Sequence, residues 1–436
     1  KFNIFMILGC YHMVKNRSTK DLSLSSNERL YHTKKTFSIF KFPIIKNLTS
    51  THVKFYTFHT GFKKKREDLL IVVFDSSVPV AAAYSKTSTP SAPLIWDKKN
   101  NKGFCKILIV NSGNANAHTG MRGIKVIDNY VKRAAIKFNC SIEQILVSST
   151  GVIGEQLDAI KIINKFPLVK DSNNKDLLSA AKAIMTTDTF PKTIMKKIRI
   201  GSKNIRIFGF AKGSGMIAPN MGTLLAYIFI EANFSKNVLK NLLHSHLETS
   251  FNSISVDGDT STSDTIMLFS TVNPKDKKVV KETDIKKISK TLKEVMFQLA
   301  LQVVSDGEGI SKLMEINVSR AKNYQQASSV AFSIANSQLV KTAIAGQDAN
   351  WGRIIMAVGK ADSKVNQNKI KLKFGKLLVA CNGQMFNKIN IKKLDIYMKN
   401  KIIKINLDLG IGDFKRTVYA SDLTHEFVRI NADYRS

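Results

Sequence analysis

The sequence predicts an α/β or α+β protein in which sheets and helices form layers. Two kinds of segment support this class. Short runs rich in apolar and β-branched residues, such as residues 105–113 and 264–272, are bounded by turn residues, as buried strands are. Residues 122–139 and 284–306 instead repeat their apolar positions at helical spacing. Because the two kinds alternate along the chain without an internal repeat, we expect strands and helices to be interleaved throughout.

Boundary signals place the other elements. Residues 145–155 are expected to begin as a strand and then to turn before either a helix or a second strand. A helix within residues 173–192 is expected to stop before Pro191. The apolar run of residues 224–230 is strand-sized. The remaining predictions are strands at 68–85 and 205–215, a helix at 233–252 with Asn233 or Ser235 as N-cap, and a mixed region from Met314 onward.

Length and composition indicate an ordinary globular protein. The 436 residues can form two domains or one large one, and 44% apolar with 23% charged residues is a usual balance. No apolar run reaches the roughly 20 residues that a membrane helix needs, so no membrane partner is expected. Residues 1–50 form a basic, poorly patterned extension. It fits a transit peptide, a decayed signal or upstream sequence.

The formal net charge of +34 raises the question of a nucleic-acid partner. The lysines are scattered through nearly every segment together with many Asn and Ile residues, which is typical of a codon bias rather than of one basic face. No zinc-finger spacing or aromatic-rich basic motif accompanies them. We therefore expect no nucleic-acid partner. The basic-protein alternative would require a salt-sensitive shift of duplex DNA or RNA.

Metal chemistry has little support in the sequence. His244 and His246 lie two positions apart on a predicted helix and so point in different directions. The cysteines are far apart and form no CxxC pair, which predicts reduced thiols in a cytosol-like compartment. These cysteines are Cys10, Cys105, Cys140 and Cys381.

Four polar, glycine-containing loops interrupt the apolar runs and are the candidate sites of chemistry. They are residues 111–120, 148–155, 211–223 and 255–265. The chain contains neither GxSxG nor GxxxxGK[ST], and Thr262 stands where an EF-hand starting at Asp257 needs glycine. Asp257 and Asp259 are more typical of side chains that bond their own backbone.

Thr223 follows a turn and immediately precedes the apolar run. Ala218 before Pro219 is pushed toward extended backbone, and Gly222 lacks a Cβ, so the peptide bond between Gly222 and Thr223 can distort cheaply. This geometry permits the threonine hydroxyl to attack the glycine carbonyl. The released α-amino group can then serve as a base for that hydroxyl. The alternative is that Thr223 is simply the first residue of a buried strand.

Six motifs in order resemble the ornithine acetyltransferase family, which comprises the glutamate N-acetyltransferases of arginine biosynthesis. The likeness runs from about Gly61 to Ser436 and includes "TTDTFPK" and "DGEGISK". It implies the family's aminopeptidase-like self-processing fold. The six motifs are "NSGNANAHTG", "SSTGVIGE", "KGSGMIAPNMGTLLAYI", "SVDGDTSTSDT", "GQDANWGRI" and "DLTHEFVRINADY".

The resemblance implies cleavage between Gly222 and Thr223, giving an α chain of residues 51–222 and a β chain of residues 223–436. Most family members have alanine where this chain has Gly222. The implied reaction is ping-pong transfer of an acetyl group from N2-acetyl-L-ornithine to L-glutamate through acetyl-Thr223. No cofactor is implied, although acetyl-CoA becomes a substrate if the enzyme is bifunctional.

The resemblance also assigns roles to other residues. Thr150, through its hydroxyl, and Gly151, through its backbone N–H, correspond to the oxyanion-stabilising pair. The substrate-binding positions are Thr187, Lys212, Thr223, Glu308, Asn431 and Ser436, the last replacing a common threonine. Lys212 suits a substrate carboxylate and Glu308 the ammonium of ornithine. Residues 111–120 are expected to support the oxyanion loop or the pocket wall. Residues 346–354 are as compatible with a structural role as with a role in the site.

An N-terminal-nucleophile amidohydrolase or aminopeptidase that uses Thr223 with water as acceptor is the alternative enzyme. The resemblance further implies an α2β2 heterotetramer of the chain's own products. A cytoplasmic location is the simplest expectation, and the basic extension leaves a mitochondrial or plastid matrix as the alternative.

Overall fold

The computed structural model describes residues 40–218, 224–272, 282–361 and 364–433. Within these ranges the chain forms an eight-stranded sheet, a seven-stranded sheet and eleven α-helices, which confirms the predicted mixed α/β class. No helix in these ranges is both long and apolar enough to cross a membrane.

The first sheet has the order β4-β3-β2-β9-β7-β6-β5, and β1 pairs with β2 beside this path. β2 joins the two halves of this sheet, because its residues 69–74 pair with β1 and its residues 80–84 with β9. The strands are β1 (Val53–Phe58), β2 (Leu69–Tyr84), β3 (Phe104–Asn114), β4 (Ile145–Val152), β5 (Lys192–Ile200), β6 (Lys203–Lys212), β7 (Leu225–Ile230) and β9 (Thr265–Ser270).

The second sheet is built mainly from the C-terminal region, with the order β13-β12-β11-β14-β10-β15-β8. Its strands are β8 (Ile254–Ser255), β10 (Leu313–Ala321), β11 (Lys371–Phe374), β12 (Leu377–Cys381), β13 (Gln384–Met385), β14 (Ile402–Asp408) and β15 (Phe414–Ser421). β8 lies between β7 and β9 in the chain yet pairs with β15, so the segment after β7 visits the second sheet before it returns to the first.

The helices cover the faces of both sheets. They are α1 (Ala92–Asn100), α2 (Gly120–Phe138), α3 (Ala159–Ile163), α4 (Leu177–Ile184), α5 (Lys236–Leu247), α6 (Glu282–Val304), α7 (Tyr324–Ala335), α8 (Gln338–Ala345), α9 (Trp351–Ala361), α10 (Ile391–Met398) and α11 (His425–Ala432). Ser235 caps α5, since its side chain accepts the Val238 N–H, so the structure selects Ser235 from the two predicted N-caps.

β7 shows why its sequence is apolar at every position. Its side chains alternate between the two faces of the sheet, as strand geometry requires. Leu225, Tyr227 and Phe229 pack in the cluster that includes α4, whereas Ala226, Ile228 and Ile230 pack in the cluster that includes α5 and α6. All six side chains are buried, and the strand is therefore fixed from both sides immediately after residues 219–223.

The structure contains elements that the sequence analysis did not predict, among them β1, α1 and β5. β1 precedes Gly61, where clear patterning begins in the sequence. The helix predicted within residues 173–192 stops at Ile184, several residues before Pro191. It ends early because the Thr186 N–H bonds the Asp188 carboxylate at 2.9 Å, a side-chain partner that competes with continued helix.

Candidate active site

A cavity of about 300 Å³ brings together residues from distant parts of the chain. Its lining includes six residues singled out from the sequence: Thr150, Gly151, Thr187, Lys212, Glu308 and Asn431. Gly222, Thr223 and Ser436 lie outside the described residues. The β6 strand that ends at Lys212 and the β7 strand that starts at Leu225 frame the five undescribed residues between positions 218 and 224.

Thr150 and Gly151 lie near the end of β4, paired in parallel with β3. Gly151 has φ +133°, and a Cβ at this position would lie 2.3 Å from the Gly113 carbonyl carbon. Only glycine fits this close approach of two backbones. The Gly151 backbone therefore lines the cavity without a side chain to obstruct its N–H.

The asparagine-rich loop of residues 111–120 braces this strand end. Asn111 accepts the Ser149 hydroxyl at 2.6 Å and donates to the Asn114 carbonyl at 2.7 Å. Asn114 in turn donates to the Glu155 carbonyl at 3.1 Å. The contacts place these side chains behind the Thr150–Gly151 end of β4 rather than in the cavity wall.

Lys212 is the buried cation of the site, with 2% of its surface exposed. Its Nζ donates to Thr150 Oγ1 at 3.0 Å, and it has no ion-pair partner among the described residues. Burial lowers the pKa of Lys212, although nearby carboxylates oppose the shift. Because Thr150 Oγ1 accepts this bond, its own hydroxyl proton is available for a group in the cavity.

Glu308 is the cavity carboxylate to which the resemblance assigns substrate binding. Asn431 Nδ2 donates to Glu308 Oε2 at 2.9 Å, and the Glu308 N–H bonds the Ser214 carbonyl at 3.0 Å. The absence of a side chain at Gly215 makes room for Glu308, since a Cβ there would lie 2.8 Å from the carboxylate carbon and both oxygens. Lys212 and Glu308 therefore give one cavity a cation and an anion.

Gly215→Ala should displace the Glu308 carboxylate, because its new methyl group would overlap all three carboxylate atoms. We expect kcat/KM to fall by about 10²-fold, the usual cost of moving a positioning group by about 1 Å. Steady-state kinetics measures the loss. Gly359→Ala is the matched control, since its Cβ would meet nothing within 4 Å. Equal activity of the two variants would contradict this role of Gly215.

A buried ion triad, which the sequence analysis missed, lies behind the cavity. Lys192 Nζ contacts Asp188 Oδ1 and Asp306 Oδ2, each at 2.6 Å. Asp188 also accepts the N–H groups of Thr186 and Gly213, which adjoin the cavity residues Thr187 and Lys212. The triad thus fixes the two cavity-lining segments that contain Thr187 and Lys212, and Asp306 lies two positions before Glu308.

The pKa directions of Asp188 and Lys192 favour their charged forms, whereas burial raises the pKa of Asp306 although Lys192 opposes that shift. Burial alone would raise the pKa of Asp188, but Lys192 and Lys212 bring it well below its usual range. Burial would lower the pKa of Lys192, and the two aspartates more than reverse this effect. The signal available in the sequence was the spacing of Asp188 and Lys192 in "TTDTFPK". Their partner Asp306 is 114 positions from Lys192.

Met216 and Phe427 add apolar surface to the cavity, and Asp257 and Asp259 complete its rim. Asp257 accepts two backbone N–H groups, from Met216 and Ile217, and a third from Asp259. Within the described ranges, no group of three or more His, Cys, Asp or Glu residues is arranged to hold a metal ion.

Comparison with known proteins identifies the family. The mixed α/β fold and a cavity with a buried cation, carboxylates and a hydroxyl–amide pair define an enzyme that binds a small polar substrate. The sequence profile of the ArgJ family matches residues 54–436. The chain belongs to the ArgJ family, which confirms the predicted resemblance and, at the level of the family, the prediction of an acetyltransferase of arginine biosynthesis.

Two similar sequences cover most of the chain, and one solved structure covers about half of it. The arginine biosynthesis bifunctional protein ArgJ of Bartonella henselae is 44% identical over 389 residues, which are 88% of this chain and 95% of the relative. The protein of the same name from Mesorhizobium japonicum is 42% identical over 404 residues, 91% and 97% of the two chains. A crystal structure of the Bacillus halodurans protein of that name is 36% identical, with TM-score 0.45, and covers 48% of this chain and 98% of that one.

Proposed function

We propose that the chain transfers the acetyl group of N2-acetyl-L-ornithine to L-glutamate. The observation that carries this proposal is the pairing of opposite charges in one cavity: Lys212, buried without an ion-pair partner among the described residues, and Glu308. A buried cation needs an anion, and a substrate carboxylate supplies one. Glu308 offers a partner to the ammonium group of ornithine. Met216 and Phe427 suit the methylene chain between these ends.

Thr223 is the proposed nucleophile, created by self-cleavage. Its hydroxyl oxygen adds to the Gly222 carbonyl carbon, the C–N bond breaks, and the hydroxyl proton ends on the departing nitrogen. Water then hydrolyses the ester, leaving a carboxylate on Gly222 and restoring the hydroxyl of Thr223. The new α-amino group is a base adjacent to its own hydroxyl, which is a known way to activate a weak nucleophile.

Acetyl transfer then takes two steps: the acetyl group moves first to Thr223 and then to glutamate. Thr223 Oγ attacks the acetyl carbonyl carbon while the α-amino group takes its proton, which leaves with the ornithine nitrogen as the amide bond breaks. The amine of glutamate next attacks the acetyl-threonine ester, and a proton returns to the threonine oxygen. Each attack forms an oxyanion that the Thr150 hydroxyl and the Gly151 N–H stabilise. Loss of one such donor typically costs about 10²–10³-fold in rate.

The proposal includes no cofactor, since every group in these steps comes from the chain or the substrates. Acetyl-CoA is included as a second acetyl donor, because the relatives carry the name bifunctional. An α2β2 assembly of the cleaved chains and a cytoplasmic location complete the proposal. A mitochondrial or plastid matrix is the alternative compartment.

Denaturing electrophoresis with N-terminal sequencing tests the processing step. We expect two bands, each about half of 48.6 kDa, with one beginning Thr-Leu-Leu-Ala. A transfer assay then tests the reaction: acetylglutamate should form when N-acetylornithine and glutamate are supplied together. Release of acetate alone would favour the amidohydrolase alternative, and an intact chain that transfers acetyl groups would refute the Thr223 mechanism.

The pH dependence of kcat/KM should report Lys212. Because burial lowers the pKa of Lys212 below 10.5, raising the pH removes its charge earlier than that of an exposed lysine. We expect kcat/KM for acetylornithine to fall on the alkaline side at a pH below 10.5. Lys212→Met should lower kcat/KM by about 10–100-fold, the value of a charged hydrogen bond, and remove this alkaline fall. An unchanged alkaline fall in Lys212→Met would assign it to another group.

A further inference from the structure

The loop that joins β1 to β2 carries a charge pattern to which the proposed reaction assigns no role. Residues 63–66 read Lys-Lys-Lys-Arg and are the only run of four consecutive basic residues in the chain. The other basic residues are scattered, so this run stands apart from the general excess of lysine. We call residues 60–68 the basic loop.

Hydrogen bonds fix the shape of the basic loop. The buried carboxylate of Asp68 accepts the N–H groups of residues 60–63 at 2.7–3.0 Å. Lys63 Nζ donates to the carbonyl oxygens of Ala183 and Met185, at 3.0 and 2.8 Å, and so ties the loop to the end of α4. The loop therefore keeps four like charges close together, although they repel one another.

The basic loop lies against the cavity at two places. Arg66 Nη2 donates at 2.8 Å to the carbonyl oxygen of Thr186, which is part of the cavity lining. The loop also meets the strand next to β4, since a Cβ on Gly113 would lie 2.7 Å from the Phe62 carbonyl oxygen, and Gly113 pairs with Gly151. The cations of the loop are therefore beside the edge of the cavity that holds the Gly151 N–H.

Three of the four basic side chains are exposed to solvent. Lys64 and Lys65 are exposed, and neither forms a hydrogen bond or an ion pair within the part of the chain that the structure describes. Arg66 is exposed as well, and its guanidinium has five N–H donors, so donors remain beside the one that meets Thr186. A fixed loop with three exposed cations suits a ligand that carries several negative charges.

We propose that the basic loop binds the phosphate groups of acetyl-CoA when this molecule is the acetyl donor. The inference deepens the proposed function and rests on it. The acetyl carbonyl of any donor has to reach the Thr150–Gly151 pair, but a cavity of about 300 Å³ is at the lower end of the range for drug-sized ligands. Coenzyme A is larger than such ligands, so its nucleotide extends beyond the cavity, where lysine and arginine side chains can bind its phosphates.

Kinetics with each acetyl donor in turn tests the proposal. Lys64→Gln combined with Lys65→Gln removes two exposed cations and leaves the bond from Arg66 to Thr186 in place. We expect KM for acetyl-CoA to rise by about three- to tenfold, the size of losing two exposed ion pairs, with kcat and KM for acetylornithine unchanged. Salt should raise KM for acetyl-CoA in the wild type more than in this double variant, because ions screen exposed charges.

Lys392→Gln combined with Lys393→Gln is the matched control. It removes the same charge from two adjacent exposed lysines on α10, neither of which lines the cavity. Its kinetic constants with both donors should equal those of the wild type. An equal rise of KM for acetyl-CoA in the two double variants would show that only net charge matters, and it would overturn the inference.

Titration calorimetry separates this inference from the proposed function, because it measures binding without transfer. The probes are coenzyme A and its nucleotide fragment, adenosine bisphosphate, and weaker binding of both by the loop variant supports the inference. Equal binding by the loop variant and the wild type would overturn it, even if transfer from acetylornithine stands. So would a loop variant that loses affinity only for an RNA duplex, since the loop would then serve a nucleic acid. A wild type that transfers nothing from acetylornithine would refute the proposed function, and the calorimetry would still decide the role of the loop.

Discussion

Thr223→Ala should leave the chain uncut and abolish acetyl transfer. The same hydroxyl carries both the attack on Gly222 and the later attack on the acetyl group, so one substitution removes both reactions. Loss of a catalytic nucleophile typically costs on the order of 10⁶-fold in kcat. Electrophoresis of the purified variant together with the acetylglutamate assay measures the two losses. Thr249→Ala, at an exposed threonine after α5, should cleave and react as the wild type does.

Thr223→Ser separates the chemistry of the hydroxyl from the packing of the methyl group. Serine keeps the nucleophilic oxygen, and we therefore expect partial cleavage and partial activity. Gly222→Ala introduces the alanine that the family resemblance implies at this position and should cleave at least as completely as this chain. An active, uncut Thr223→Ala variant would show that another residue accepts the acetyl group.

Lys192→Met should cause the largest loss of stability among the variants considered. It leaves Asp188 and Asp306 buried together without their shared cation, and breaking a buried ion pair in this way costs about 3–5 kcal/mol. The midpoint of urea unfolding measures the loss. The geometry of the cavity should change too, because Asp188 accepts hydrogen bonds from the N–H groups of the residues next to Thr187 and Lys212. We expect KM for acetylornithine to rise in whatever fraction remains folded.

Lys196→Met is the control on the same strand. Lys196 pairs with Glu294 at 2.7 Å, but both side chains are substantially exposed. Exposed ion pairs contribute about 0–1 kcal/mol, so this variant should unfold near the wild-type midpoint. Neutralising both aspartates in the Lys192→Met background should recover part of the lost stability, because no buried charge then lacks a partner. Equal unfolding midpoints for Lys192→Met and Lys196→Met would contradict a stabilising role for the triad.

Local patterns in the sequence were enough to predict the fold class and most of the elements between β2 and α6. Helix α6 and strand β9 fall where apolar periodicity places them. The prediction that α4 ends before Pro191 is confirmed, but its exact end at Ile184 goes with a bond between Thr186 and Asp188 that periodicity does not encode. β1 was missed because its short run precedes the region of clear patterning. It becomes a strand by pairing with β2.

For the candidate site, the ordered motifs identified individual residues but not the side chains with which they form hydrogen bonds and ion pairs. Thr150, Lys212 and Glu308 were each identified within a motif, and the structure brings them to one cavity. The bond from Lys212 to Thr150 spans 62 positions, and Lys192 reaches Asp306 across 114. The bond from Arg66 to the Thr186 carbonyl likewise joins residues 120 positions apart.

The sequence alone therefore determined the class of the fold, the order of most elements between β2 and α6, and the identity of the residues that carry the proposed chemistry. These features depend on local periodicity and on motifs, and both involve residues that are close together in the sequence. Only the tertiary structure decided which buried charges share partners and which basic residues lie next to the cavity. Such pairings depend on how the two sheets and their helices pack, and a lysine pairs with whichever aspartate packing brings within 3 Å.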